Sequence, residues 1–152
     1  MLSELEMYYE TAEELGVMVH DAHFSETKKA TSLCGSGINI LLDKPEIETA
    51  AEAAELLGRE LKQIENGDLF YINSASNTPM GRLTRRKCEN KSKWEFVQEI
   101  LPPNELQNAI LSDGPEYWRI AEGLSRTVKF VMEAIEMYER KGFVFKTPVY
   151  EC

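Results

Sequence analysis

The residues of this chain that could do chemistry are concentrated in the stretch E-L-L-G-R at residues 55–59. Side chains four positions apart on a helix share one face, so Glu55 and Arg59 would lie one turn apart. At about 100° per residue, Leu56 would fall opposite the centre of the apolar stripe of the same helix. A leucine there is either an ordinary surface residue or part of a face that looks into a cleft, and the pattern leaves both open.

The element that must position these side chains is a helix over residues 46–63, around which we expect the chain to be organised. Thr49 and Asp43 are both candidates for its start. The residues between its apolar positions are mostly charged, so the pattern predicts an amphipathic helix. The apolar positions recur at helical spacing at Ile47, Ala50, Ala51, Ala54, Leu57, Gly58 and Leu61.

Residues 54–60, A-E-L-L-G-R-E, resemble the metal-binding helix of ImmA/IrrE-type metallopeptidases, which in one branch reads approximately A-E-E-L-G-H-H. In an H-E-x-x-H helix, two histidines one turn apart bind one zinc ion and the glutamate activates water. In this register Leu56 replaces the general base, and Arg59 replaces a histidine with a permanent cation that cannot bind zinc. The resemblance therefore implies a zincin-like metal-helix scaffold whose general-base position is vacant.

Residues 85–102 resemble the second active-site helix of that family, and Glu89 matches its glutamate ligand. We therefore predict that Glu55, Arg59 and Glu89 line a cleft at the former metal site. Two carboxylates without a metal would repel each other, so we expect the Arg59 guanidinium to bridge them. The alternative for Glu89 is an ordinary salt-bridge partner on a basic helix.

The remaining pattern predicts an α+β fold, with a small antiparallel sheet packed by helices and a helical C-terminal half. Helices are expected at residues 2–15, 84–101, 104–111, 115–124 and 126–141, with Gly16, Asn104, Pro115 and Gly142 at their ends. Strands are expected at residues 17–20, 38–42, 69–72 and, as an edge strand, 143–150, with a loop at 21–32. We expect one metallopeptidase-like domain over residues 1–152, with a helical subregion at about 103–142. Residues 120–125, I-A-E-G-L-S, resemble the corner of a helix-turn-helix, but the second helix is not strongly basic, which favours a packing role.

The charge of the chain is unevenly distributed. The net charge is −9, which disfavours direct nucleic-acid binding. Residues 82–93 nevertheless contain six basic residues and one acidic residue, so this segment is +5 and the remainder is −14. The segment is either a solvated helix start or a docking patch for an acidic partner, with the candidate contacts Arg82, Arg85, Arg86 and Lys87.

Other residue types add little chemistry. The 152-residue sequence has no apolar run near 18 residues and no secretion signal, so we expect no membrane span. Its three cysteines, Cys34, Cys88 and Cys152, lack metal-binding spacing and are expected to be reduced thiols of a cytoplasmic protein. His20 and His23 fit surface positions better than a metal pair. The aromatic residues Trp94, Tyr117 and Trp118 are expected in the core.

These observations favour a non-catalytic binding or regulatory protein without a cofactor. The resemblance implies a protein partner, in particular a helix-turn-helix repressor of a prophage or mobile element. The first alternative is an active zinc metallopeptidase that cleaves a repressor and binds its metal through Glu55, Glu89 and His20 or His23. The second alternative is a helical interaction domain unrelated to peptidases.

Overall fold

The computed structural model describes residues 2–25, 28–34, 37–67 and 78–148, and within them the chain is α+β as predicted. The strands are β1 (Val17–Asp21), β2 (Ala30–Cys34) and β3 (Ile38–Leu42), and a short 3-10 helix covers Lys44–Glu46. The helices are α1 (Glu4–Glu14), α2 (Ala50–Glu65), α3 (Pro79–Ile100), α4 (Pro103–Asp113), α5 (Tyr117–Leu124) and α6 (Val128–Arg140). The strand predicted at residues 69–72 lies outside the described residues. Two compact units divide the chain, Met1–Phe96 and Val97–Cys152.

Local capping residues set the ends of the first two long helices. Ser3 accepts a hydrogen bond from the Glu6 amide at 3.2 Å, while the Glu6 carboxylate accepts one from the Ser3 amide at 3.0 Å. This capping box satisfies amide groups that the first helical turn leaves without partners. Gly16, at φ +71°, follows α1 and turns the chain into β1. Thr49 caps α2 by accepting from the Glu52 amide at 3.1 Å, so of the two candidate starts Thr49 is the one observed, and the helix spans Ala50–Glu65 instead of residues 46–63.

The sheet has the order β1-β3-β2 and is mixed, so the prediction of an antiparallel sheet is wrong for one of its two strand pairs. β1 runs parallel to β3, with Val17 opposite Ile38. β2 runs antiparallel to β3, with Ala30 opposite Leu42. The loop predicted at residues 21–32 is wrong for residues 30–32, which form the start of β2. This strand lies at the edge of the described sheet and contains Ser32, which is buried, so it lacks the apolar alternation by which half-buried strands are recognised.

The core of the first unit forms where α1 and α2 pack on the sheet. Its fully buried side chains are Ala12, Val17, Ile40, Leu42, Leu57 and Leu61. Residues 51–64 of α2 are all buried or half-buried. The helix is amphipathic as predicted, but its charged residues between positions 51 and 64 are wholly or partly buried.

The second unit is built from α4, α5 and α6 and is centred on Tyr138. The Tyr138 side chain is fully buried, and its hydroxyl donates a hydrogen bond to the Leu101 carbonyl at 2.8 Å. The rings of Phe143 and Phe145 contact the Tyr138 ring edge to face, with centroids at 5.0 and 5.8 Å. The segment after α6 is held in this way without forming a strand in residues 143–148, so the predicted edge strand is wrong for that part.

Three local predictions in the C-terminal half are wrong. α4 begins after Pro102, so Asn104 lies inside the helix and is not its N-cap. α5 begins after Glu116, so Pro115 precedes the helix and is not its first residue. Tyr117 and Trp118 are 44% and 58% exposed and do not belong to the core, although both sit at helical spacing. Within the described residues, no helix combines the length and the apolar character needed to cross a membrane.

Candidate functional site

A polar cavity of about 310 Å³ lies in the first unit, between β2, α2 and α3. The chain leading into β2 contributes Lys28, and β2 itself contributes Ala30, Thr31 and Ser32. α2 contributes Arg59, Glu60 and Gln63, and α3 contributes Glu89, Asn90, Ser92 and Lys93.

The cavity lies along the side of α2 that carries Arg59, Glu60 and Gln63 and faces strand β2. Residues 59, 60 and 63 project within about 100° of one another around the helix, and Leu56 points the same way one turn earlier. This arrangement agrees with the interpretation that the face carrying Leu56 looks into a cleft. Leu56 itself is half-buried and is not among the residues that line the cavity.

The predicted site residues are only partly brought together. Arg59 and Glu89 both line the cavity, but Glu55 does not. Glu55 is 6% exposed and projects about 140° away from Glu60 around the helix. Glu60 is the carboxylate that α2 contributes to the cavity, so the set Glu55, Arg59 and Glu89 is corrected to Arg59, Glu60 and Glu89. The sequence signal that could have identified Glu60 is its spacing of four residues from Leu56.

Glu60 is the most perturbed acid of the site. The Ser32 hydroxyl donates to its Oε2 atom at 2.5 Å. Burial raises the pKa of Glu60, and Glu89 raises it further, while the Ser32 hydrogen bond and the charges of Arg59 and Lys28 act in the opposite direction. The net shift is upward because burial is the largest of these contributions.

The predicted bridge by Arg59 between Glu55 and Glu89 does not form. Among the described residues, the Arg59 guanidinium has no ion pair with either of these glutamates, and its charge acts to lower the pKa of Glu60. Glu55 is nearly buried and has other interactions within the fold. The cation therefore remains available in the cavity and is not neutralised by the expected pair.

Two further polar contacts join α2 to α3 beside the cavity. The side-chain amide of Asn66 donates to the Ser92 hydroxyl at 3.2 Å and to Glu95 Oε2 at 2.5 Å. Ser92 is only 1% exposed, and Gln63, which lines the cavity one turn earlier on α2, is 8% exposed. Buried polar side chains thus form a large part of the wall.

The predicted docking residues lie in the first half of α3. Arg82, Arg86 and Lys87 are exposed, whereas Arg85 is half-buried. Arg82 and Arg85 each take part in an interaction within the fold. Arg86 and Lys87 are therefore the better probes of a docking patch.

The histidines of the alternative zinc site lie elsewhere. His20 is hydrogen-bonded to Asn39 Oδ1 at 2.8 Å, and His23 to the buried Asp43 carboxylate at 3.0 Å. Neither lines the cavity. In the part of the chain that the structure describes, no three histidine, cysteine or acidic side chains are placed to hold one metal ion, so the set Glu55, Glu89 and His20 or His23 is not assembled.

Comparison of the chain with protein-family models, with curated proteins and with solved structures gives no match. The resemblance to ImmA/IrrE-type metallopeptidases thus stays a prediction from the residues quoted above.

Proposed function

We propose that this chain is a non-catalytic binding and regulatory protein on a scaffold like that of the ImmA/IrrE metallopeptidases. The observation that supports the proposal is the pair Leu56 and Arg59 in α2. Leu56 has no group that could take a proton from water, and Arg59 has a permanent charge and no lone pair for zinc. A zinc site in this register would lack one ligand and its general base.

Metal content tests the non-catalytic part of the proposal. Protein purified without chelator or added metal should contain well below one zinc per chain, measured by elemental analysis. Added zinc should not lead to cleavage of a helix-turn-helix repressor. About one zinc per chain, lost on Glu89→Ala but retained on Glu122→Ala, an exposed glutamate of the second unit, would contradict the proposal.

The partner we propose is another protein, of the class that the resemblance implies: a helix-turn-helix repressor of a prophage or mobile element. The exposed cations at the start of α3, in a chain of net charge −9, support an acidic docking surface on that partner. Such a contact would speed association mainly by long-range attraction, which salt screens.

Stopped-flow association with such a repressor, at several salt concentrations, tests the patch. Reversing the charge of Arg86 and Lys87 to glutamate should slow association and flatten its salt dependence. The control reverses Arg119 and Lys129, two exposed cations of the second unit, and should affect the rate much less. Equal effects of the two double variants would show that only net charge matters, and the docking patch would be abandoned.

A further inference from the structure

The wall of the cavity has the character of a built binding site. Four of its side chains, Ser32, Glu60, Gln63 and Ser92, are between 1% and 9% exposed. The cavity is partly open, since its wall also includes the exposed residues Lys28, Glu89 and Asn90, and burying a polar group without a hydrogen bond costs free energy. A cavity with this many buried polar groups therefore needs an explanation beyond packing.

Gln63 differs from the other three buried residues of the wall in its hydrogen bonding. Ser32 and Glu60 bond each other, and Ser92 accepts from Asn66. The described residues give the Gln63 side-chain amide no partner, although the side chain is more than nine-tenths buried. A glutamine amide offers two donor hydrogens and one acceptor oxygen, which here face the cavity.

The charge of the wall favours an anionic ligand. Lys28, Arg59 and Lys93 supply three positive charges, against two carboxylates from Glu60 and Glu89. Because burial raises the pKa of Glu60, the balance becomes more positive whenever that carboxyl holds its proton. The Arg59 guanidinium has a planar set of donors that matches a carboxylate or phosphate group.

The size of the cavity restricts the ligand to a small molecule. The cavity measures about 310 Å³. That volume suits a small metabolite and is at the lower end of known ligand pockets.

We propose that this cavity binds a small anionic molecule that carries a carboxylate or phosphate group together with a hydroxyl or amino group. Arg59 binds the anionic group, and the Gln63 amide donates to it. Glu60 and Glu89 accept hydrogen bonds from the hydroxyl or amino group. The inference rests on the cavity alone and goes beyond the proposed protein partner.

Calorimetric titration of the full chain tests the site with three probes: inorganic phosphate, glycerol 3-phosphate and malate, each against sodium chloride at equal ionic strength. Glycerol 3-phosphate or malate should bind saturably, and which of them binds decides between a phosphate and a carboxylate ligand. Binding of inorganic phosphate as tightly as glycerol 3-phosphate would overturn the part of the proposal that assigns roles to Glu60 and Glu89.

Three variants make the titration specific to the cavity. Arg59→Gln should weaken binding about tenfold or more, because it removes a charged hydrogen-bond donor. Arg59→Lys keeps the charge but loses the planar fork and should be intermediate. Arg119→Gln removes the same charge from an exposed position of α5 outside the cavity and should leave affinity unchanged.

A spectroscopic readout on the unaltered protein keeps the proposal testable if the Arg59 variants do not fold. The side-chain amide signals of Gln63, assigned by their loss in Gln63→Met, should shift on addition of the binding probe and not on addition of sodium chloride. No saturable binding of either hydroxylated anion, equal weakening by Arg59→Gln and Arg119→Gln, or unmoved Gln63 signals would each overturn the proposal.

Discussion

Replacing Gly58 by alanine tests how closely α2 packs against the helices on either side of it. An added Cβ would lie 2.7 Å from the Phe96 ring and 2.8 Å from Tyr8 Cζ. Carbon atoms prefer separations of about 3.5–4.0 Å, so at least one ring would have to move. Phe96 is 3% exposed and the two ring centroids are 6.3 Å apart, which leaves little room for either movement.

Two opposing effects decide the sign of this substitution. In a helix interior, alanine is favoured over glycine by about 1 kcal/mol. Overpacking a well-filled core costs about 1–3 kcal/mol. Since two rings from different helices are approached at less than 3.0 Å, we expect Gly58→Ala to lower the free energy of unfolding by about 1–2 kcal/mol.

Urea unfolding followed by tryptophan fluorescence measures this change. The chain has two tryptophans, and Trp118 is 58% exposed, so Trp118→Phe provides a mild background in which Trp94 alone reports on the first unit. Gly123→Ala serves as a comparison, followed by circular dichroism. Its Cβ meets only the end of the Asp113 side chain, at 2.5 Å, which can turn aside, so we expect the helix preference to dominate and the variant to gain up to about 1 kcal/mol.

A second substitution separates steric overlap from other effects of alanine. Phe96→Leu removes the ring that the new Cβ would meet, so it should cost less free energy of unfolding in the Gly58→Ala protein than in the parent. If Gly58→Ala alone raised the free energy of unfolding by about 1 kcal/mol, the reasoning would be refuted, because the helix preference of alanine would then outweigh the cost of overpacking.

Three further outcomes follow from single contacts. Because burial raises the pKa of Glu60 above its ordinary value near 4.5, the folded state binds the proton more tightly, and the free energy of unfolding falls as pH rises from about 4.5 through the folded-state pKa. Glu60→Gln should remove this fall and leave the variant more stable than the parent at neutral pH, measured by urea midpoints across that range; an unchanged pH profile would contradict it. Tyr138→Phe leaves the Leu101 carbonyl without its hydrogen bond and should cost about 1–3 kcal/mol in urea unfolding, whereas a neutral effect would mean that water replaces the hydroxyl. Thr49→Ala removes the cap of α2 and should cost about 1 kcal/mol, while Thr49→Ser should retain most of the stability, and equal losses would rule out the cap as the cause.

The sequence by itself determined the helices and several of their ends. Thr49 before a charged and apolar periodic segment, and glycines after the first and last helices, are local signals whose effect depends on residues within one or two turns. The α+β class and the strands near residues 17–20 and 38–42 were also available, since apolar β-branched runs between turn residues indicate buried strands. Asn104 and Pro115 failed as helix starts, because α4 and α5 begin after Pro102 and Glu116 without a side-chain cap that the sequence could signal.

Only the tertiary structure decided which partners these elements meet. β1 pairs directly with β3 because β2 lies on the other side of β3 in the sheet. The polar sequence of β2 gives no signal that it forms a strand there. The choice of cavity carboxylate depends on the same strand. Glu55 and Glu60 have the same side chain on the same helix, yet only Glu60 faces Ser32 on β2. Local patterns are carried by neighbours along the chain, whereas burial, pKa and the position of a charge in a cavity depend on residues far apart in sequence that only the fold brings together.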